Sequence, residues 1–197
     1  MYQFKAYFYK LDNAQKSDCR LYLDIRSENV SLTRPDLILI MLNPGSCKSK
    51  HMEYEKEIDV NPDQTLHRIK SLMEKQNERN LNWIRVLNLS DLVNAKSREF
   101  FKIVSEVEET TTRHHSIFDD SRLEDLKKFI APNDKVFFAC GVNGNSNDWV
   151  ENSKCKINRI GAIVLNKTNK YYHPLVRPNK KDIVDWRDQI REVLKST

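Results

Sequence analysis

The chain lacks any close pairing of its cysteines: Cys19, Cys47, Cys140 and Cys155 are scattered through 197 residues with no C-x-x-C spacing. Cysteine-held zinc and iron–sulfur sites therefore have no ligand set, and the four read as free thiols in a reducing compartment. No apolar run approaches the roughly 20 residues of a membrane-spanning helix. The amino-terminal MYQFKAYFYK has no signal-peptide core, so the expectation is a cytoplasmic protein that does not enter a membrane. Repeats and low-complexity tracts are missing too. Lys and Arg outnumber Asp and Glu by 33 to 28, but no basic block collects them, so the net charge of +5 fits a polyanionic partner without requiring one. The length suits a single domain, 1–197.

What is present is organised around Asp36-Leu-Ile-Leu-Ile-Met-Leu-Asn-Pro-Gly-Ser46. An apolar run without polar alternation predicts a strand covered on both faces, as in parallel α/β sheets. It stops at Asn43. Pro44 cannot donate to a ladder, and Gly45 permits a positive φ, so a turn is expected that exposes backbone N–H groups and the Asn43 amide at the strand's carboxyl end. Ligands of open α/β sheets bind at that end.

The remaining pattern alternates strands and helices. Residues 1–10 and 20–26 alternate aromatic or apolar with polar positions, which predicts a hairpin. Residues 48–57 have no clean period and read as an exposed loop or short helix over the Asn43 turn. Asn61-Pro62-Asp63 opens a helix to about residue 76. A strand is predicted at 83–89, helices at 97–107 and 123–130, a strand at 135–140, a short helix at 147–156, a strand at 159–165 and a closing helix at 180–194. The fold expected is a three-layer α/β/α sandwich with a central, mainly parallel four-stranded sheet and amino-terminal edge strands. Three strands then lead to polar stations, at Asn43, Asn88 and His173, which parallel pairing would bring to one rim.

In order and spacing, Asn43-Pro44-Gly45, Asn88-Leu89 and His173-Pro174-Leu175 resemble the signature of the uracil-DNA glycosylase superfamily. The first is similar to the NPG loop of its mismatch-specific and single-strand-selective branches, the second to its uracil-reading Asn, the third to its HP loop. The chain also resembles an uncharacterised bacterial and phage domain family with the pattern MLNPS, D-x-T-x-x-R, VNLFA, AWG and HPLY. Here the matching residues are Met41 to Ser46, Asp63-Gln-Thr65-Leu-His-Arg68, Val86 to Leu89, Ala139-Cys140-Gly141 and His173 to Leu175. The sequence departs from the glycosylase pattern at Met41 and Leu42, where a Gly usually precedes the Asn, and at HPLVRP in place of HPSP.

The resemblance implies a metal-free, cofactor-free, monomeric and monofunctional enzyme of base excision, acting on single- or double-stranded uracil-containing DNA. Base excision needs the nucleotide turned out of the stack. Asn43 is then the residue that orients the attacking water, since an amide orients water without acting as a base. Asn88 offers donor and acceptor in one plane, matching the O4 and N3–H edge of uracil. His173 donates to O2 as charge develops. Leu42, Pro44, Gly45 and Ser46 would line the base pocket with Tyr54 as aromatic platform. Pro174, Leu175, Val176 and Arg177 would meet DNA, the apolar pair as a wedge and Arg177 on phosphate.

Other readings stay open. Asn43 and Asn88 also suit turn positions, and Asp63 with Thr65 suits a helix cap. Arg68 is expected to pair with a carboxylate near the pocket. His114-His115 has no third ligand nearby, and Cys47 has no adjacent base. A non-catalytic nucleic-acid or nucleotide binding module of a mobile element or phage, or an enzyme of free nucleosides, accommodates the same pattern.

Overall fold

The computed structural model describes residues 1–11, 18–28, 31–45, 47, 53–75, 81–94, 97–110, 114–141, 146–166, 171, 173–174 and 188–190. The two alternating segments form long antiparallel strands, β1 (Tyr2–Lys10) and β2 (Asp18–Ser27). The apolar run forms β3, Leu37–Met41, with every residue buried. There follow β4 (Lys56–Asp59), α1 (Gln64–Lys75), β5 (Trp83–Asn88) and α2 (Ser97–Thr110). A 3₁₀ turn at Asp120–Arg122 leads into α3 (Leu123–Phe129), then β6 (Lys135–Phe138), α4 (Asn147–Ile160) and β7 (Ile163–Val164).

All seven strands belong to one mixed sheet in the order β4-β1-β2-β5-β3-β6-β7. Pairing is parallel through β5, β3, β6 and β7, and antiparallel through β5, β2, β1 and β4. The expected four-stranded sheet is thus a seven-stranded mixed one. Strand β2 hydrogen-bonds directly along β5, from Leu23 opposite Val86 to Arg26 opposite Trp83, and so carries β1 and β4 into the same sheet.

Alternation along the central strands divides the core. Leu37, Leu39 and Met41 pack in the cluster that holds Leu66, Ile69, Leu72 and Met73 of α1. That spacing puts the four on one helical face, and burying each contributes about 1.5–3 kcal/mol. Ile38 and Ile40 instead share a cluster with Leu126 of α3 and with Val150 and Ile157 of α4. Phe100, Val104 and Val107 of α2 cover Tyr9, Leu11 and Cys19.

Two stretches differ from the sequence reading. The end of the segment 48–57, expected as a loop or short helix, instead opens the edge strand β4; its KEID sequence is mostly exposed, and its order comes from pairing with β1 rather than from an apolar period. The strand expected at 159–165 shrinks to Ile163–Val164 because α4 runs on to Ile160. Gly161 stops the helix with φ 87°, and its N–H bonds back to Asn158 and Ile157 carbonyls. Residues 188–190 are helical, while the rest of the closing helix expected at 180–194 lies outside the described residues. Among the described residues no helix is long and apolar enough to cross a membrane.

Candidate functional site

The carboxyl ends of β3 and β5 lie side by side, with Met41 opposite Asn88. Their pairing continues past both strands: Leu89 N–H donates to Met41 O at 2.8 Å and Ser90 N–H to Leu42 O at 3.0 Å. Asn94 N–H then bonds Pro44 O at 3.2 Å. Asn43 closes this corner, its Nδ2 donating to Asn94 O at 2.7 Å and to Pro44 O at 3.1 Å. Two carbonyl partners fix the orientation of the amide, and Oδ1 accepts no hydrogen bond among the described residues.

Gly45 serves this corner by size. Its φ is outside the left-handed region, contrary to the expectation of a positive-φ turn residue, but a Cβ here would stand 3.1 Å from Asp63 Oδ2. Asp63 in turn opens α1: Oδ1 accepts from Leu66 N at 3.0 Å and the main-chain O from His67 N at 3.0 Å, an N-cap as the sequence predicts. Cys47 Sγ donates to Asn61 O at 3.0 Å. Burial pushes the Cys47 thiol up to about 11, so it is a structural thiol and not a nucleophile at neutral pH.

His173 arrives from the other side. It does not directly follow β7, which ends nine positions earlier; it sits beside the turn after β6. There Gly141, at φ 92°, donates its N–H to Tyr171 O at 2.5 Å, and a Gly141 Cβ would lie 4.0 Å from His173 Cβ. Arg68 of α1 holds the next residue by donating Nη1 to Pro174 O at 3.3 Å, rather than pairing with a carboxylate. Loss of solvation pushes the imidazole down to about 4, only partly opposed by the Asp63 charge. His173 is therefore a neutral imidazole at neutral pH.

Asn88 lies beneath. Ile84 and Val86 of β5 point into the α1-side cluster and Leu87 away from it, so alternation turns Asn88 to the α1 side, next to Met41. It has no exposed surface, and neither Nδ2 nor Oδ1 has a hydrogen-bond partner. An unmet buried polar group typically costs about 1–3 kcal/mol, so such an amide calls for a ligand or water. In this conformation the wall above Asn88 is closed.

The other expected site residues are placed differently. Leu42 packs with the α2 and α4 clusters, on the face opposite Asn88. Pro44 is buried and acts through its carbonyl. Tyr54 donates Oη to Asp18 Oδ1 at 2.8 Å, with Lys10 Nζ 4.7 Å from its ring centre. Glu55 N–H bonds Phe8 O of β1, while the Tyr54 ring packs against the α1-side cluster and reaches across to the start of β2. Ser46, Leu175, Val176 and Arg177 lie outside the described residues.

One lone buried arginine and two buried networks went unseen in the sequence. On the α1 side Arg20 of β2 is 3% exposed at this same rim. On the opposite face His115 joins Ser90 Oγ through Nδ1 at 2.8 Å and Glu108 Oε1 through Nε2 at 3.1 Å. His115 and Glu108, with His114, Trp149 and Asn152, border a cavity of about 110 Å³. Ser90 is wholly buried and accepts from Leu92 N–H, so this Ser–His–Glu set cannot present a nucleophile. Close by, Asp91 Oδ2 accepts from Tyr9 Oη and from Arg122 Nη1, both at 2.8 Å. Among the described residues no group of three or more His, Cys, Asp or Glu is placed to hold a metal ion.

Two outcomes follow from this geometry. Replacing Asn88 by the similarly shaped Leu removes two unmet polar atoms, so urea unfolding should show unchanged or higher stability; a loss above about 2 kcal/mol would mean that the amide is structural. The unfolded chain protonates His173 near its ordinary value of about 6.5 whereas the folded one resists until about 4. Wild-type stability should therefore fall relative to His173→Gln as pH drops through that interval, and parallel pH profiles would contradict the enclosed imidazole.

Compared with family models, curated proteins and solved structures, the chain matches none.

Proposed function

We propose that this protein is a uracil-DNA glycosylase-like hydrolase that cleaves the N-glycosidic bond of a deoxyuridine turned out of DNA, on a three-layer sandwich of that type. The observation that carries the reading is the buried Asn88 amide with neither atom paired, at a rim shared with Asn43 and His173. A planar imide such as uracil supplies the complementary pair, O4 accepting and N3–H donating, whereas cytosine presents the reverse. Asn43, with Nδ2 held by two carbonyls, keeps Oδ1 for a water. The neutral His173 has an N–H to donate as negative charge builds on the base. Because Asn88 has no exposed surface, entry of the base requires the wall above it to open.

That closure favours a second reading from a different class, a nucleic-acid binding module without catalysis, for which the net charge of +5 supplies long-range attraction. One assay separates the two. Uracil-containing single- and double-stranded oligonucleotides, incubated with the protein and treated with alkali, should break at uracil. Asn88→Asp should abolish cutting or relax the choice of uracil over cytosine, and His173→Ala should slow it about 10²–10³-fold while DNA binding is kept. Salt-sensitive binding with no cleavage at high protein concentration would reject the enzyme in favour of the module.

A further inference from the structure

Arg20 is the buried group that the reading above leaves without a task. Its side chain is 3% exposed, its enclosed Nε has no hydrogen-bond partner, and among the described residues its guanidinium shows no hydrogen bond and no close ion pair. The ionisable groups that act on it are the Cys47 thiol and the Asp63 and Asp91 carboxylates. Asp91 is already bonded to Tyr9 and Arg122, and Asp63 to the first turn of α1. Burial lowers the Arg20 pKa, but an arginine starts from so high a value that it stays charged.

The backbone aims this side chain. Strand β2 pairs Tyr22 with Tyr7 and then Arg20 with Phe8, skipping Leu21, so the regular alternation breaks there. Without the irregularity Arg20 would face away from Leu23's side of the sheet. With it, Leu21 packs into the α2 and α4 clusters, and Arg20 shares the side of its partner Phe8 and of Leu23, both in the α1-side core. Bulges that redirect one side chain are common beside functional sites. Arg20 and Asn88 therefore come from hydrogen-bonded neighbouring strands, on one face and at one rim, both deeply buried and neither satisfied.

We propose that Arg20 and Asn88 form one pocket for the leaving base as an anion, Asn88 reading its imide edge and the Arg20 guanidinium carrying the charge that bond cleavage places on it. The inference rests on the glycosylase reading. In the step concerned the C1′–N1 bond breaks and its electron pair departs with the base. Water adds its oxygen to C1′ and releases a proton, which finally neutralises the base anion, so deoxyuridine in DNA and water give an abasic sugar and uracil. His173, neutral at working pH, stabilises such an anion by a hydrogen bond alone; Arg20 adds a full positive charge.

Calorimetric binding of free uracil and free 5-fluorouracil to the intact protein tests this, at a pH between the ionisation points of the two bases so that only the fluorinated one is an anion. The wild-type protein should favour 5-fluorouracil by about tenfold or more, the scale of one hydrogen bond to a charged group. Arg20→Gln should abolish that preference with uracil affinity little changed, and Arg20→Lys should keep part of it. Circular dichroism of each variant checks folding, and the wild-type preference is itself decisive should Arg20→Gln not fold. Equal wild-type affinities, or a preference that survives in Arg20→Gln, would overturn the role of Arg20 while leaving the base pocket standing. Failure of both bases to bind overturns the shared pocket, and oligonucleotide cleavage then reports separately whether the glycosylase reading survives.

Discussion

The structure depends on the parallel pairing of two buried strands, β3 and β5, and on its continuation beyond their ends. Met41 stands opposite Asn88, and the next two residues of the second strand bond the carbonyls of Met41 and Leu42. A ladder that runs past the strands stiffens the turn that follows. It seats the Asn43 amide on Asn94 and Pro44 carbonyls and leaves Asn88 under the start of α1's face of the sheet. Parallel pairing of β6 on the other flank adds the Gly141 turn, against which His173 packs. Residues separated by more than a hundred positions thereby share one rim.

Both faces of that rim hold buried polar atoms without a partner, Arg122 Nε and Nη2 on one and Asn88 Nδ2 and Oδ1 on the other, but Arg122 keeps charged and hydroxyl partners through Nη1 whereas the Asn88 amide has none. On the α2 and α4 side, Tyr9, Asp91 and Arg122 bond one another, and His115 bridges Ser90 and Glu108. Breaking such a buried pair typically costs about 3–5 kcal/mol, so that side reads as architecture. On the α1 side, Asn88 has neither amide atom paired and, among the described residues, Arg20 has no bonded acceptor. Buried groups left in that state destabilise the fold, and native structures tolerate them chiefly where a ligand or water completes them. The side chain left wholly without a bond, Asn88, directs attention to the α1 side rather than to the cavity beside His115.

Much of the fold was legible in the residues. The unbroken apolar run predicted a strand buried on both faces, and β3 is that strand; the helical spacing after Asp63 predicted α1 and its cap. Short-range signals failed where structure came from elsewhere. KEID has no strand period and is ordered by β1, and RIGAIVL looked like one strand although Gly161 divides it between a helix end and a two-residue strand. At the site, the order Asn43, Asn88, His173 was visible, but burial was not. Nothing in RLYLDIR says that Arg20 is enclosed, since the irregularity that turns it depends on pairing with β1. Nor does the sequence reveal that Leu42 faces the opposite cluster or that the Tyr54 hydroxyl is tied to Asp18 of β2.

The central claim is that the α1 side of this rim receives a planar pyrimidine on the Asn88 amide. Following the side-chain NH₂ resonances of asparagine during addition of free uracil examines it most directly. The account predicts that the Asn88 pair moves and slows in solvent exchange, together with the His173 ring. Resonances that move only around the His115 cavity, with Asn88 unchanged at saturating base, would contradict it.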